Sequence, residues 1–124
     1  MNPDLVIGGD WNTIIDKVKD KFPQVADSST YYSESVAKIV DACNTLTLYN
    51  VWREKFPNKL QYTWRRFNPN VSCRLDYFLI HKSLKNRVTN TDIRPATRTD
   101  HQAVTLKIAT QATQKGPGQW RFNE

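Results

Sequence analysis

Five polar residues are hard to dismiss as solvated surface. They are Asp10 and Asn12 in Gly9-Asp10-Trp11-Asn12, Asp76 within Arg74-Leu-Asp-Tyr-Phe-Leu-Ile80, and the adjacent Asp100 and His101. The first two follow an apolar segment, Asp76 sits inside one, and the last two precede one. Carboxylates, an amide and an imidazole thus gather at or within strands, and these are the groups of proton transfer and metal binding. A carboxylate buried without a partner is costly, so Asp76 requires a charged or hydrogen-bonding neighbour. The pattern asks for a site.

Each piece alone is weaker. Gly-Asp-Xaa-Asn is commonly just a turn, because Asp and Asn bond their own backbone and tolerate left-handed conformations. Asp100 would serve equally as a loop cap, and a lone histidine such as His101 is more often structural or solvent-facing. Asp76 resists dismissal best, since strand interiors disfavour aspartate. Cys73 and Tyr77 beside it read as core, and His81, at the strand exit without a companion motif, receives no role.

The elements that must carry these residues follow from periodicity. Residues 4–8 form a short apolar strand expected to stop at Gly8-Gly9, with a turn after it. Val36, Ile39, Val40, Cys43 and Leu46 recur at helical spacing, and Ser33 or Ser35 is placed to cap a helix over about 34–46. Its apolar stripe should face a sheet. Residues 51–56 add one helical turn that Pro57 stops. From Tyr62 the pattern becomes β-rich with period two, over 62–67, 72–80, 88–94 and 103–109, which predicts an antiparallel sheet. Residues 1–110 read as the folded part, and 111–124, with Gly116-Pro117-Gly118, as a linker or tail.

Composition bounds the class. At 124 residues, with a net charge of +6, the chain suits one small packed domain. It has no stretch of spanning length and no signal-peptide pattern at its start, so a soluble, unsecreted protein is expected. Two cysteines, Cys43 and Cys73, fit neither a disulfide framework nor a zinc site and read as buried thiols in a reducing compartment. Basic residues concentrate over 53–98, whereas 1–52 lean acidic; such a field suits a phosphate backbone, and equally a solvated surface.

Order and spacing add a resemblance. The series Gly9-Asp10-Trp11-Asn12, Tyr62-Thr63-Trp64, Arg74-Leu75-Asp76-Tyr77 and Thr99-Asp100-His101 resembles the C-terminal motifs of the endonuclease/exonuclease/phosphatase superfamily over about residues 4–109. Thr99 stands where the family has serine, which keeps a hydroxyl. The tail Gly116-Pro-Gly-Gln-Trp-Arg-Phe-Asn123 resembles the segment that follows the endonuclease of LINE-type retrotransposons and leads toward a reverse transcriptase. The resemblance implies an α+β fold, half of the four-layer α/β-sandwich of DNase-like proteins, mostly antiparallel sheet with a flanking helix. The family's first half supplies an asparagine and a metal-binding glutamate, and no residue here matches either.

What the resemblance implies chemically is hydrolysis of DNA phosphodiesters with Mg²⁺ or Mn²⁺, the metal being weakly held by this chain. Asp10 would orient or deprotonate the attacking water, and Asn12 would hydrogen-bond a phosphate oxygen. Asp76 would hold His101 as an imidazolium that stabilises the pentavalent centre. Asp100 would bind or position metal together with Asp10. Thr63, Trp64 and Arg74 are further candidates for phosphate contact or site support. Implied partners are DNA and a missing N-terminal half or a second copy against an uncovered sheet face, with no membrane. The implied location is intracellular, and nuclear if the chain belongs to a retrotransposon protein. Three other readings stand beside this one. One is a phosphatase or phosphodiesterase of the same superfamily; another is a non-catalytic nucleic-acid-binding fragment, which would use the basic surface but not Asp10, Asn12 or His101; the third is a remnant that folds and has no activity.

Overall fold

Three antiparallel sheets and two α-helices make up the computed structural model, which describes residues 4–23, 34–97 and 99–110. Sheet I is built on a six-residue strand, β6 (Asp76–His81), flanked by β1 (Val6–Asp10) and β3 (Leu48–Asn50). Sheet II places β5 (Val71–Cys73) between β2 (Lys21–Phe22) and β4 (Trp64–Arg66). Sheet III is the pair β7 (Val88–Arg94) and β8 (Ala103–Ile108). Helix α1 spans Glu34–Leu46 and α2 spans Val51–Lys55. A 3₁₀ helix, Lys82–Arg87, joins β6 to β7, and the His81 side chain accepts the Ser83 N–H at its start.

Period-two alternation along β6 sorts its side chains between two cores. Tyr77 and Leu79 pack with Leu48, and Ile39 and Cys43 of α1 lie against them together with Trp11. Ile80 packs on the opposite side with Val51 and Leu84, against Phe78, Leu106 and Ile108. Asp76 is in phase with Phe78 and Ile80, so it belongs to the face that meets β8. The segment ahead of β8 carries His101. This phase relation brings two residues 25 positions apart to one place.

Three expectations are corrected. The first strand does not stop at its glycines: β1 runs through them to Asp10, with Gly8 opposite Phe78 and Asp10 opposite Asp76. Gly8 is required because the Phe78 ring occupies the space a β-carbon would take, and Gly9 has φ +150, a conformation that side chains disfavour. The expected strand over 72–80 is two strands in different sheets, broken at Arg74-Leu75. Its break is stable because its backbone groups are paired: Arg74 N donates to Asp20 O at 2.9 Å, and Trp11 N donates to Leu75 O at 2.9 Å. The expected single sheet is divided among three.

Helix α1 has the predicted bounds, but Ser35 lies inside it and caps nothing, while Ser33 falls outside the described residues. Its stripe is covered only in part: Val36 is buried, whereas Val40 and Leu46 are exposed. Helix α2 is the short turn expected before Pro57, capped by the Asn50 side chain. Both cysteines are free thiols; Cys73 is buried and Cys43 half-buried, and burial pushes both up in pKa. Among the described residues no helix is long and apolar enough to cross a membrane. The expected tail, 111–124, lies outside the described residues.

Candidate active site

Asp10 and Asp76 end the register of β1 with β6, and directly opposed residues of an antiparallel pair project to one face. His101 completes a triangle with them. Its Nδ1 lies 2.8 Å from Asp76 Oδ2, and its Nε2 lies 3.9 Å from Asp10 Oδ2. An ionised carboxylate only accepts, so the 2.8 Å contact places a proton on Nδ1 and turns Nε2 outward toward Asp10. The Asp76 side chain is 17% exposed and that of Asp10 48%, which puts Asp76 behind the imidazole and Asp10 in front of it. The imidazole is held above its ordinary pKa. The hydrogen bond that His101 donates to Asp76 is the largest cause; the charges of Asp76, Asp10 and Asp100 add to it, while burial acts in the opposite direction.

Asn12 follows in the left-handed conformation, φ 51, and its N–H donates to Asp10 Oδ1 at 2.8 Å. The turn reading of Gly-Asp-Xaa-Asn is therefore correct, and the turn also holds the Asp10 carboxylate, which lies beside the imidazole. Trp11 fixes this segment from below: its ring stacks on Tyr77 at 5.7 Å, and its Nε1 donates to Tyr77 O at 2.9 Å. Tyr77 in turn donates from its hydroxyl to Thr13 O.

The remaining candidates divide. Trp64 is half-buried, forms a β-bridge with His101, and donates from Nε1 to Asp100 Oδ2 at 3.0 Å. Trp64 and Asp100 line an open pocket of about 640 Å³ beside the triangle, with Tyr62, Phe67, Thr99 and Gln102. Asp100 is not part of the donor set: the ligand atoms within 4.8 Å of one another come from Asp10, Asp76 and His101. Thr63 is fully buried, at 0% exposure, so it cannot touch a phosphate; its Oγ1 accepts the N–H groups of Leu75 and Asp76.

Arg74 is likewise no phosphate ligand. It is 1% exposed, and it donates from Nε to Asp20 Oδ1 at 2.7 Å and from Nη2 to Asp20 Oδ2 at 3.2 Å. Trp52 and Tyr77 lie against its guanidinium, and Arg53 shares the Asp20 carboxylate. Sequence reasoning misses Asp20 because Lys17-Val-Lys-Asp-Lys21 looks like a charged surface run. An arginine inside an expected apolar strand whose nearby acid, Asp76, is matched by His101 is the available signal that another carboxylate must pair with it.

The basic band is thinner than its composition suggests. Arg53 and Arg74 are spent on Asp20, Lys85 pairs with Glu54, and Arg94 pairs with Asp92 at 3.6 Å. Lys55, Lys59, Arg65, Arg66 and Lys82 remain exposed, while Arg98 lies outside the described residues.

As a metal site the triangle offers two carboxylates and one imidazole. Hard divalent cations prefer oxygen donors, and Asp10, open to solvent, can offer one. His101 is committed through Nδ1 to Asp76, which leaves the carboxylates as the fitting ligands. The donor set suits an oxygen-seeking cation, though with few protein ligands.

The order of elements and their antiparallel pairing match the DNase-like fold of solved nuclease structures. An AP endonuclease from Leishmania major superposes with a TM-score of 0.69 at 15% identity, over 85% of this chain and 35% of that one. The endonuclease domain of TRAS1, a telomere-specific non-LTR retrotransposon, superposes with a TM-score of 0.61 at 13% identity, over 86% and 43%. In sequence the chain is 33% identical, over 121 residues, to the Transposon TX1 uncharacterized 149 kDa protein of Xenopus laevis. That match covers 96% of this chain and 9% of the transposon protein. No family model matches. The chain therefore spans less than half of the two structures and a small part of the transposon protein.

Proposed function

We propose that this chain carries one half of the catalytic apparatus of a metal-dependent DNA endonuclease of the retrotransposon type and is incomplete by itself. The observation that carries the reading is the triangle of Asp10, Asp76 and His101 at the end of β1 and β6. The names of the AP endonuclease and the TRAS1 endonuclease domain favour DNA as the substrate, and the likeness to the TX1 protein favours a transposon setting.

His101 acts through Nε2, with Asp76 holding the ring and its charge so that the imidazolium meets negative charge developing at phosphorus. Asp10 orients a water or takes its proton. Asn12 hydrogen-bonds a phosphate oxygen, and Trp64 borders the strand on the pocket side. A divalent cation, Mg²⁺ or Mn²⁺, held by Asp10 with Asp76 nearby, would neutralise charge on the phosphoryl oxygens when bound.

The test is nicking of supercoiled plasmid. The chain alone should nick little or not at all, because acid, base and metal act as a unit. Fusing the N-terminal half of a superfamily domain ahead of Met1 should restore Mg²⁺-dependent nicking, and Asp10→Ala or His101→Ala in that fusion should abolish it. Nicking by the isolated chain that survives both substitutions and chelator would overturn the proposal.

A further inference from the structure

Thr63 ties together both segments that bear the Asp-His pair. Its Oγ1 accepts the Leu75 N–H at 2.9 Å and the Asp76 N–H at 3.1 Å. Its own N–H donates to Cys73 O at 3.0 Å, and its carbonyl accepts the Gln102 N–H, the residue after His101, at 2.6 Å. Thr63 itself is sealed from water, at 0% exposure.

We infer that Thr63 is a positioning residue: its hydroxyl fixes the start of β6 where Asp76 stands, its carbonyl fixes the segment bearing His101, and so it sets the Asp76–His101 contact. The break between β5 and β6 makes this necessary. Where the chain leaves sheet II for sheet I, the amides of Leu75 and Asp76 both donate to one buried hydroxyl. A buried amide without an acceptor costs its full desolvation, so the segment would shift rather than stay in place without Oγ1. A shift at Asp76 is felt at His101, because the segment of His101 is held to the same residue. The catalytic meaning of this role rests on the reaction proposed above; the geometry does not.

Imidazole ¹⁵N-¹H spectra of the full chain in chelator test this without DNA. The chain has two histidines, and His81, whose Nδ1 lies 2.8 Å from Ser83 Oγ, reports on the intact fold. In the wild type, His101 should show a hydrogen-bonded Nδ1–H signal, and Asp76→Asn should shift or remove it. Thr63→Val should lose that signal while His81 is unchanged, and Thr63→Ser, which keeps the oxygen, should restore it. A folded Thr63→Val with the wild-type His101 signal overturns the inference. Should the valine variant also lose the His81 signal, Thr63→Cys, a weaker acceptor, takes its place. It should weaken His101 and spare His81, and an unchanged His101 signal in it would equally overturn the inference. If the fused enzyme fails to nick while these spectra behave as expected, the functional proposal fails and the positioning role stands.

Discussion

Asp10 and Asp76 face each other as the last register partners of β1 and β6, so two carboxylates leave one sheet side by side. Like charges directly opposed across strands are destabilising, and a cation between them would relieve the repulsion. Mg²⁺ is therefore expected to raise the melting temperature of the wild type. Asp10→Asn should raise it in chelator and remove the Mg²⁺ increment. Calorimetry with and without Mg²⁺ decides: an equal increment in both proteins would show that Asp10 is no ligand.

Protonation of His101 should be linked to stability with a definite sign. Folding raises the imidazole above its ordinary value of 6.5, chiefly through Asp76. The charged pair therefore stabilises the fold fully below about pH 6.5, and that contribution is lost as pH rises through the folded value. Asp76→Asn should flatten this part of the profile. Urea midpoints from pH 5 to pH 9 in chelator read the difference, and identical profiles would deny the coupling.

Removing one side of the buried Asp20–Arg74 pair should be far more damaging than any change on the surface. Asp20→Ala strands two guanidinium groups, Arg53 and Arg74, and the loss expected for breaking a buried pair is about 3–5 kcal/mol. Arg74→Lys keeps the charge but not the two-point geometry and should fall in between. Urea denaturation measures both, and a loss for Asp20→Ala comparable to a surface change would remove the structural role given to this pair.

DNA binding should depend on the exposed cations alone. Substituting Lys59, Arg65 or Arg66 by alanine should each lower the steepness of the salt dependence, by about 0.9 for every phosphate that the side chain had neutralised. Lys85→Ala should do much less, since its ammonium is paired with Glu54. Fluorescence anisotropy on a short duplex across a salt series measures the slopes. Equal effects at Lys85 and Arg66 would mean that the composition of the band, rather than its free charges, governs binding.

The candidate catalytic residues are legible in the sequence because their types are improbable where they stand. An aspartate in phase with Phe78 and Ile80 demands a partner, and His101 supplies it. Helix α1 and strand β7 are legible because their periodicities run long enough to be unambiguous. The two-residue strand β2, the three-residue β3 and the break at Arg74 are not, for such short elements carry no period and exist through long-range pairing. The motifs leave Thr63 and Arg74 open between phosphate contact and site support; burial, which a motif does not encode, assigns them to support. The resemblance implies Asp100 as a metal ligand, but its carboxylate accepts from Trp64 Nε1 and lies outside the Asp10, Asp76 and His101 group.

The passage of the chain from sheet II into sheet I at Arg74-Leu75 also bears on how the molecule comes apart. Cys73 and Asp76 are separated by two residues whose amides are anchored to Asp20 and Thr63. Sheet II cannot open without releasing those anchors, and with them the first residue of β6. Slow-exchanging amides in β5 and at the start of β6 should thus belong to a single cooperative unit, opening together rather than strand by strand. The Asp-His pair would then be as long-lived as the junction between the sheets, and its lifetime would be governed by the buried anchors at Asp20 and Thr63.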